Sequence, residues 1–289
     1  MTIMSNGQRI FMTGATGYIG SVITELAIAK GYEVHGLSRS DSGDAKLLKA
    51  GEVPDRGDLN SLDVLRRQSF EADIVLHLAT AYHIINASAG YDAVWPIDKA
   101  AAEAIADGLE GSNKRLVVTG GTLFVSPDPD AHFLELAVRR IRIIAIRLAP
   151  WVFRIGGSGV KIFMDILKKA EKVACVDVGG KRITTTVYVD DAARIRLLAA
   201  QNAKSGEVVN ASSATNVTFH EMWENMVTAL NLPLKHLSTE DAIASLGPFL
   251  TKFISVENRA TGAKARDVLG WKPSGLSILE EIRLVSLQR

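Results

Sequence analysis

The sequence predicts an α/β protein, a doubly wound parallel sheet with a smaller C-terminal lobe. Three observations carry that prediction. Through the first half of the chain, short apolar runs alternate with helical patterns, which is the signature of βαβ units. The runs are almost continuously apolar, as strands covered on both faces require. After Pro150 the texture changes to Gly and Pro punctuation with amphipathic helix.

In chain order, the predicted strands are Arg9 to Met12, Glu33 to Leu37, Ile74 to Leu78, Leu116 to Val118 and Ile143 to Arg147. Helical periodicity falls between them at Ser21 to Lys30, Leu62 to Gln68 and Ile97 to Leu109. Farther on, Gly156-Gly157-Ser158-Gly159 reads as a loop, Lys161 to Ala170 as an amphipathic helix and Thr184 to Val189 as a β-rich run. From Phe219 onward the chain reads mostly as helix, broken at Asn231-Leu232-Pro233 and at Leu269-Gly270-Trp271-Lys272-Pro273. These boundaries assign residues 1–155 to the core and 156–289 mainly to the lobe, with 184–212 returning to the core.

Composition narrows the partners. With 47% hydrophobic and 22% charged residues, the chain lies near the globular average. Lys plus Arg (33) and Asp plus Glu (32) nearly cancel, so no general positive field draws in nucleic acid or an anionic membrane. No apolar run approaches the roughly 20 residues that span a bilayer. The single Cys175 excludes an intrachain disulfide and a cysteine metal cluster, and no histidines sit at metal-ligand spacing, so no metal is expected. A cytoplasmic location follows as the expectation.

The chemistry-bearing signal is Thr13-Gly14-Ala15-Thr16-Gly17-Tyr18-Ile19-Gly20, glycines that follow a strand and open a helix. One glycine makes the tight turn, a second lets main-chain N–H groups approach a pyrophosphate, and a third lets helix pack on strand. The helix N-terminus adds partial positive charge. This Rossmann-type turn assigns Gly14, Thr16, Gly17, Tyr18, Ile19 and Gly20 to a nicotinamide dinucleotide.

About 20 residues past the motif, an NAD site carries an acidic residue for the ribose hydroxyls. Here Ser38-Arg39-Ser40 stands instead. A guanidinium pairs with a 2′-phosphate and stacks on adenine, so Arg39 with Ser38 favours NADP over NAD, against the plainer reading of a surface arginine. Asp41 nearby weakens that preference. Asp58, in Gly57-Asp58-Leu59, is placed either to meet the adenine amino group or to cap the helix beginning near Ser61. His77 reads first as a satisfied core residue.

Taken together, these segments resemble an extended or atypical short-chain dehydrogenase/reductase of the NAD(P)-dependent epimerase/dehydratase type. The likeness runs nearly end to end, through the glycine motif, Gly57-Asp58-Leu59, His77-Leu78-Ala79, Arg147-Leu148-Ala149-Pro150, Val187 to Ala193 and Leu269 to Pro273. It implies cofactor contacts at Asp58, Leu59, Leu78, Ala79, Thr80, Thr119 and Pro150, and a seven-stranded sheet. It also implies hydride transfer to or from a carbonyl, alcohol or sugar-like substrate, and pairing as a homodimer through helices flanking the central crossover.

The same resemblance implies a catalytic tyrosine with a lysine four residues later. None of Tyr18, Tyr32, Tyr82, Tyr91 and Tyr188 is followed by that lysine. The family places the pair between the strands ending at Thr119 and beginning at Ile143, where Gly120 to Asp130 runs straight into Ala131 to Ala137. About 15 to 30 residues are absent there by comparison with usual loop and helix lengths. Either the chain has lost them or a longer form carries them. Thr122 is the hydroxyl nearest the family's Ser/Thr helper, with Thr119 the other candidate, and Tyr82 is a substitute proton donor. The leading reading is an NADP-dependent reductase of a small carbonyl compound. The alternatives are a nucleotide-sugar epimerase or dehydratase, and an NADP-binding regulator that uses the fold without the chemistry.

Overall fold

The computed structural model describes residues 7–81, 91–123, 129–154, 159–169, 173–176 and 181–287. The first half runs β1 (Arg9–Thr13), α1 (Tyr18–Ala29), β2 (Glu33–Ser38), α2 (Asp41–Lys49), β3 (Val53–Arg56), α3 (Leu62–Glu71), β4 (Ile74–His77), α4 (Tyr91–Leu109) and β5 (Arg115–Gly121). A short α5 (Pro129–Glu135) and a 3-10 turn (Leu136–Arg139) then lead to β6 (Arg142–Leu148). The second half contains β7 (Trp151–Phe153), α6 (Gly159–Lys169), β8 (Val173–Val176), β9 (Ile183–Tyr188), α7 (Val189–Asn202), β10 (Val208–Ala211) and β11 (Ala214–Thr218). It closes with α8 (Phe219–Leu230), β12 (Leu234–Leu237), α9 (Thr239–Phe253), α10 (Ala263–Leu269) and α11 (Ile278–Leu287).

Seven strands form one sheet in the order β10-β6-β5-β4-β1-β2-β3, with every pair parallel. The order reverses between β1 and β4, which opens a crevice beyond the strand ends. Each face of the sheet buries its own apolar layer. One joins Ile10, Met12, Val117 and Ile144 to α1 and α7, and the other joins Phe11, Val75, Val118 and Ile143 to α3, α4 and α5. The doubly wound α/β fold expected from the apolar runs is thus present. The β-rich run before Asp190 does not enter this sheet; it becomes β9, between β7 and β11 in a separate three-stranded sheet.

Two elements between β2 and the third helix were not anticipated. Only Leu47 of α2 is buried, and β3 reads Val-Pro-Asp-Arg at the sheet edge. Both lack the apolar run that marks the interior strands. The lobe has its own core, in which Trp151 packs against Phe163 (5.0 Å between ring centroids) and Phe253 (5.3 Å). The Gly156 to Ser158 loop lies outside the described residues; Gly159 already belongs to α6.

The β5–β6 crossover is short, and it is held. Phe133 and Leu136 are buried in the α3/α4 layer, His132 meets the edge of Trp95 at 5.4 Å, and Arg139 pairs with Asp107 and Glu110 on or beside α4 at 2.7 Å each. Among the described residues, the return between these parallel strands contains seven α-helical residues and one further turn.

Candidate functional site

The glycine loop shows why side chains are excluded from it. Gly14 has φ of +77°, and a Cβ there would stand 3.2 Å from the Ala79 nitrogen. Gly17 N–H closes the turn on the Gly14 carbonyl at 3.0 Å. A Cβ on Gly20 would fall on the Gly14 carbonyl oxygen and 2.7 Å from that of Ala15. The backbone at the start of α1 can thus approach a ligand, and no side chain caps the helix there.

A buried hydroxyl holds the next wall in place. Thr13 Oγ1 accepts from the Leu78 and Ala79 N–H groups (3.2 Å each), so its own proton is directed to His77 Nδ1, 2.8 Å away. Burial lowers the His77 pKa to about 4, so the ring is neutral and structural near pH 7. Asp98 on α4 fixes the following residues by accepting from Thr80 Oγ1 (2.7 Å) and Ala81 N (2.8 Å).

These walls enclose a cleft of about 330 Å³ across the C-terminal ends of the central strands. Among the residues named from sequence, Gly14, Thr16, Gly17, Tyr18, Ile19 and Gly20 line it on one side, with Arg39, Asp58 and Leu59 at the β2/β3 end. Leu78, Ala79, Thr80 and Thr119 complete the set. Leu37 and Leu148 also line it and were not among the residues named as contacts; Leu148 ends β6 within the Arg147-Leu148-Ala149-Pro150 segment, and Leu37 is the last residue but one of β2.

Several named residues sit otherwise. Ser38 is buried, and its hydroxyl donates to the Ser40 carbonyl at 3.2 Å, away from the cleft. Pro150 lies between β6 and β7, and Leu148 takes the lining position. Asp58 lines the cleft and also holds the turn before α3, its Oδ1 accepting from Asn60 N (2.9 Å) and Ser61 N (3.1 Å), but the N-cap of α3 is Ser61, with no side-chain capping bond. The Thr122 hydroxyl donates to the Leu148 carbonyl at 3.1 Å, and Asn258 Nδ2 donates to the Thr122 carbonyl at 2.9 Å. Thr122 therefore ties the end of β5 to the lobe and does not line the cleft. Tyr82 lies outside the described residues.

Arg39 is exposed and lines the cleft with no ion pair among the described residues. Asp41, which weakened the NADP reading from sequence, is drawn instead to Arg56, 2.5 Å away, and Arg56 also holds Asp44. Lys46 on α2 donates to the Thr16 carbonyl at 2.5 Å.

Two buried charged groups border the site and escaped the sequence reading. Arg196 on α7 has no exposed surface, and burial lowers its pKa to about 9. Glu281 on α11 is equally buried, with neither carboxylate oxygen hydrogen-bonded, and burial raises its pKa to about 7. Each lies on an apolar stripe. Val189, Ala192, Ala193, Ala199 and Ala200 predict burial at 196, and Ile278 and Ile282 predict it at 281.

A larger depression of about 700 Å³ lies over α8 and β12, lined by Glu224, Asn225 and Arg283 among others. It has no glycine-built cradle of main-chain donors, so the strand-end cleft is the candidate site. Among the described residues no three His, Cys, Asp or Glu side chains converge as a metal site would require. No described helix is long and apolar enough to cross a membrane.

Comparisons with known proteins agree with this fold. The profile of the NAD dependent epimerase/dehydratase family matches residues 10–136. An uncharacterized protein of Saccharomyces cerevisiae is 30% identical over 96% of this chain and 98% of its own length. That alignment spans 297 positions but uses only 96% of 289 residues, so about 20 positions fall opposite gaps in this chain. Among solved structures, UDP-N-acetylglucosamine 4-epimerase from Methanobrevibacter ruminantium superposes with a TM-score of 0.74 at 17% identity, over 98% of both chains. Thermus thermophilus UDP-glucose 4-epimerase in complex with NAD gives 0.71 at 18% identity, over 96% of this chain and 98% of that one.

Proposed function

The chain belongs to the NAD dependent epimerase/dehydratase family, and from that premise we propose that it is an NADP-dependent oxidoreductase reducing a small carbonyl compound. The observation that carries the cofactor preference is Arg39, an unpaired guanidinium at the β2/β3 end of the cleft whose nearest acidic neighbour in sequence is neutralised by Arg56. A 2′-phosphate there meets a free cation, whereas Ser38 and Arg39, at the end of β2, offer a plain ribose no carboxylate for its hydroxyls.

The cradle fits such a dinucleotide. Gly14, Gly17 and Gly20 leave room for a pyrophosphate on the main chain, Lys46 braces the loop at Thr16, and Asp58 with Leu59 borders the adenine end. When bound, the nicotinamide supplies two-electron exchange with a carbon centre. The residues of this chain orient it, keep the His77 wall neutral and exclude water with Leu78, Leu148 and Ile19.

Titration of tryptophan fluorescence with NADPH and NADH tests the preference. NADPH is expected to bind at least tenfold more tightly, since one charge-assisted pair contributes about 1.5 to 3 kcal/mol. Arg39→Ala should erase the margin, lowering NADPH affinity far more than NADH affinity, which loses only the stacking on adenine. Equal affinities in the unaltered chain would sink the NADP assignment.

A second reading, a nucleotide-sugar epimerase, has the full-length superposition on two such enzymes in its favour. It requires the nicotinamide to be returned to its starting state within one turnover. NAD retained through dialysis, with no net oxidation against a carbonyl panel, would select it.

A further inference from the structure

Arg196 is a fully buried guanidinium with no carboxylate at ion-pair distance among the described residues, and its Nε has no partner. Charges in that position are ordinarily paired. Asp191, one turn earlier, is occupied by Arg194 at 3.1 Å. One terminal nitrogen of Arg196 donates to the Ala192 carbonyl of its own helix, and the other, Nη2, lies 3.4 Å from Thr119 Oγ1.

That contact follows from the strand. Val117 packs in the α1/α7 layer and Val118 in the opposite one, so alternation turns Thr119 toward α7. A hydroxyl has one proton, and accepting from Arg196 leaves that proton to be donated elsewhere. Thr119 lines the cleft, so its O–H is available as a donor polarised by the cation behind it.

Sheet order indicates what the donor meets. Arg39 and Asp58 mark the β2/β3 end, the glycine loop lies over β1, and Thr119 and Leu148 stand beyond it at β5 and β6. A dinucleotide anchored by adenine at the first end brings its other half to the second. We propose that Arg196, acting through Thr119, provides the hydrogen-bond donor for a carbonyl oxygen at the β5/β6 end of the cleft, that of the nicotinamide carboxamide or that of the substrate. This rests on the nicotinamide-cofactor reading above. Arg196 is a positioning residue, and Thr119 is the group that touches the ligand.

The test compares binding of NADP and of 2′-phospho-ADP-ribose, which lacks the nicotinamide, to the full chain and to Arg196→Met, Thr119→Val and Thr119→Ser. Methionine fills a buried arginine site without stranding a charge, so a purely structural Arg196 would leave binding and turnover unchanged. If the acceptor is the carboxamide, the margin of NADP over the truncated nucleotide falls about tenfold in Arg196→Met and Thr119→Val, as expected for a lost charge-assisted bond. It survives in Thr119→Ser, and binding of 2′-phospho-ADP-ribose is unchanged throughout.

If the acceptor is the substrate, the nucleotide margin holds, while kcat on a carbonyl panel falls about tenfold at unchanged KM for NADPH. The proposal is overturned if both quantities are unchanged in Arg196→Met and Thr119→Val. Should Arg196→Met not fold, the threonine pair decides alone. An unaltered chain that binds neither nucleotide rejects the cofactor reading itself and takes this proposal with it, a result distinct from normal binding with indifferent variants.

Discussion

Gly20 is the position in the cleft with the least room. A methyl group there would land on the Gly14 carbonyl and press on that of Ala15, both of them backbone atoms of the turn, which cannot rotate away as a side chain would. Gly20→Ala must therefore push α1 off the turn, at about 1 to 3 kcal/mol for forced overpacking. Because the displaced atoms form the ligand cradle, NADPH affinity should drop by at least tenfold alongside a lower urea midpoint. A variant that loses stability but binds normally would show that the turn is only structural. The spacing of Gly14, Gly17 and Gly20 made this much readable from the sequence. The side-chain parity that separates Thr119 from Thr122 was not, since it depends on β5 running to Gly121 and on Leu148 taking the Thr122 hydroxyl. Arg196 and Glu281 were hidden for another reason. A charged letter reads as surface until the helix stripe through it is drawn.

Among the elements, α7 and the 269–275 loop explain each other. Asp191, in the first turn of α7, is 1% exposed; it accepts from Ser274 N at 3.0 Å and Gly275 N at 2.8 Å, and its carbonyl accepts from Trp271 Nε1 at 3.0 Å. Gly275 itself packs against the Tyr188 ring with no space for a Cβ. Two segments about 80 residues apart, recognised separately from sequence, are thus one clamp on the sheet's outer helix. Asp191→Ala leaves two main-chain donors without the carboxylate and Arg194 without its ion-pair partner, though still bonded to the Asp190 carbonyl and the Ser274 hydroxyl. The expected loss is about 3 kcal/mol, from roughly 1.5 to 3 for each bond to a charged group, reduced where water replaces it. Urea denaturation measures it, and a change below about 0.5 kcal/mol, the usual range at surface sites, would remove the clamp from the account. The interior strands were legible because burial on both faces demands unbroken apolar runs. The edge strand β3 was not, because Pro54 and Asp55 are tolerated where one side lacks a neighbour. The shortened crossover was legible as a missing length. That so short an element is still fixed, by Phe133, Leu136 and Arg139, needed the structure.

On the scale of the whole molecule, the lobe meets the core along a seam that contains the most perturbed carboxyl near the cleft. Tyr18 of the glycine loop donates to the Arg154 carbonyl at 3.0 Å, and Arg154 lies 3.6 Å from Asp190. Glu281 of α11 is the buried group on this seam, interacting with Tyr18 from α1, Arg154 after β7 and Tyr188 from β9. Burial raises its pKa from 4.5 to about 7, with Arg154 opposing. Below about pH 4.5 the carboxyl holds its proton in both folded and unfolded chains, and pH has no leverage on it. Between 4.5 and 7 only the folded chain retains the proton, so rising pH favours unfolding. Above about 7 both forms are ionised and the loss is complete. At about 1.4 kcal/mol per pH unit, the chain gives up on the order of 3 to 4 kcal/mol across that window. His77, with a pKa lowered to about 4, contributes the opposite slope as pH falls below 6.5, so total stability alone cannot isolate Glu281. The comparison with Glu281→Gln does, because His77 is common to both chains. Glutamine copies the protonated carboxyl in shape and charge. Urea midpoints should therefore agree near pH 4.5 and separate by pH 8, with Glu281→Gln the more stable. Midpoints that stay together from pH 4.5 to 8 would mean that Glu281 ionises in the folded chain as easily as in water, and that the seam is open to solvent.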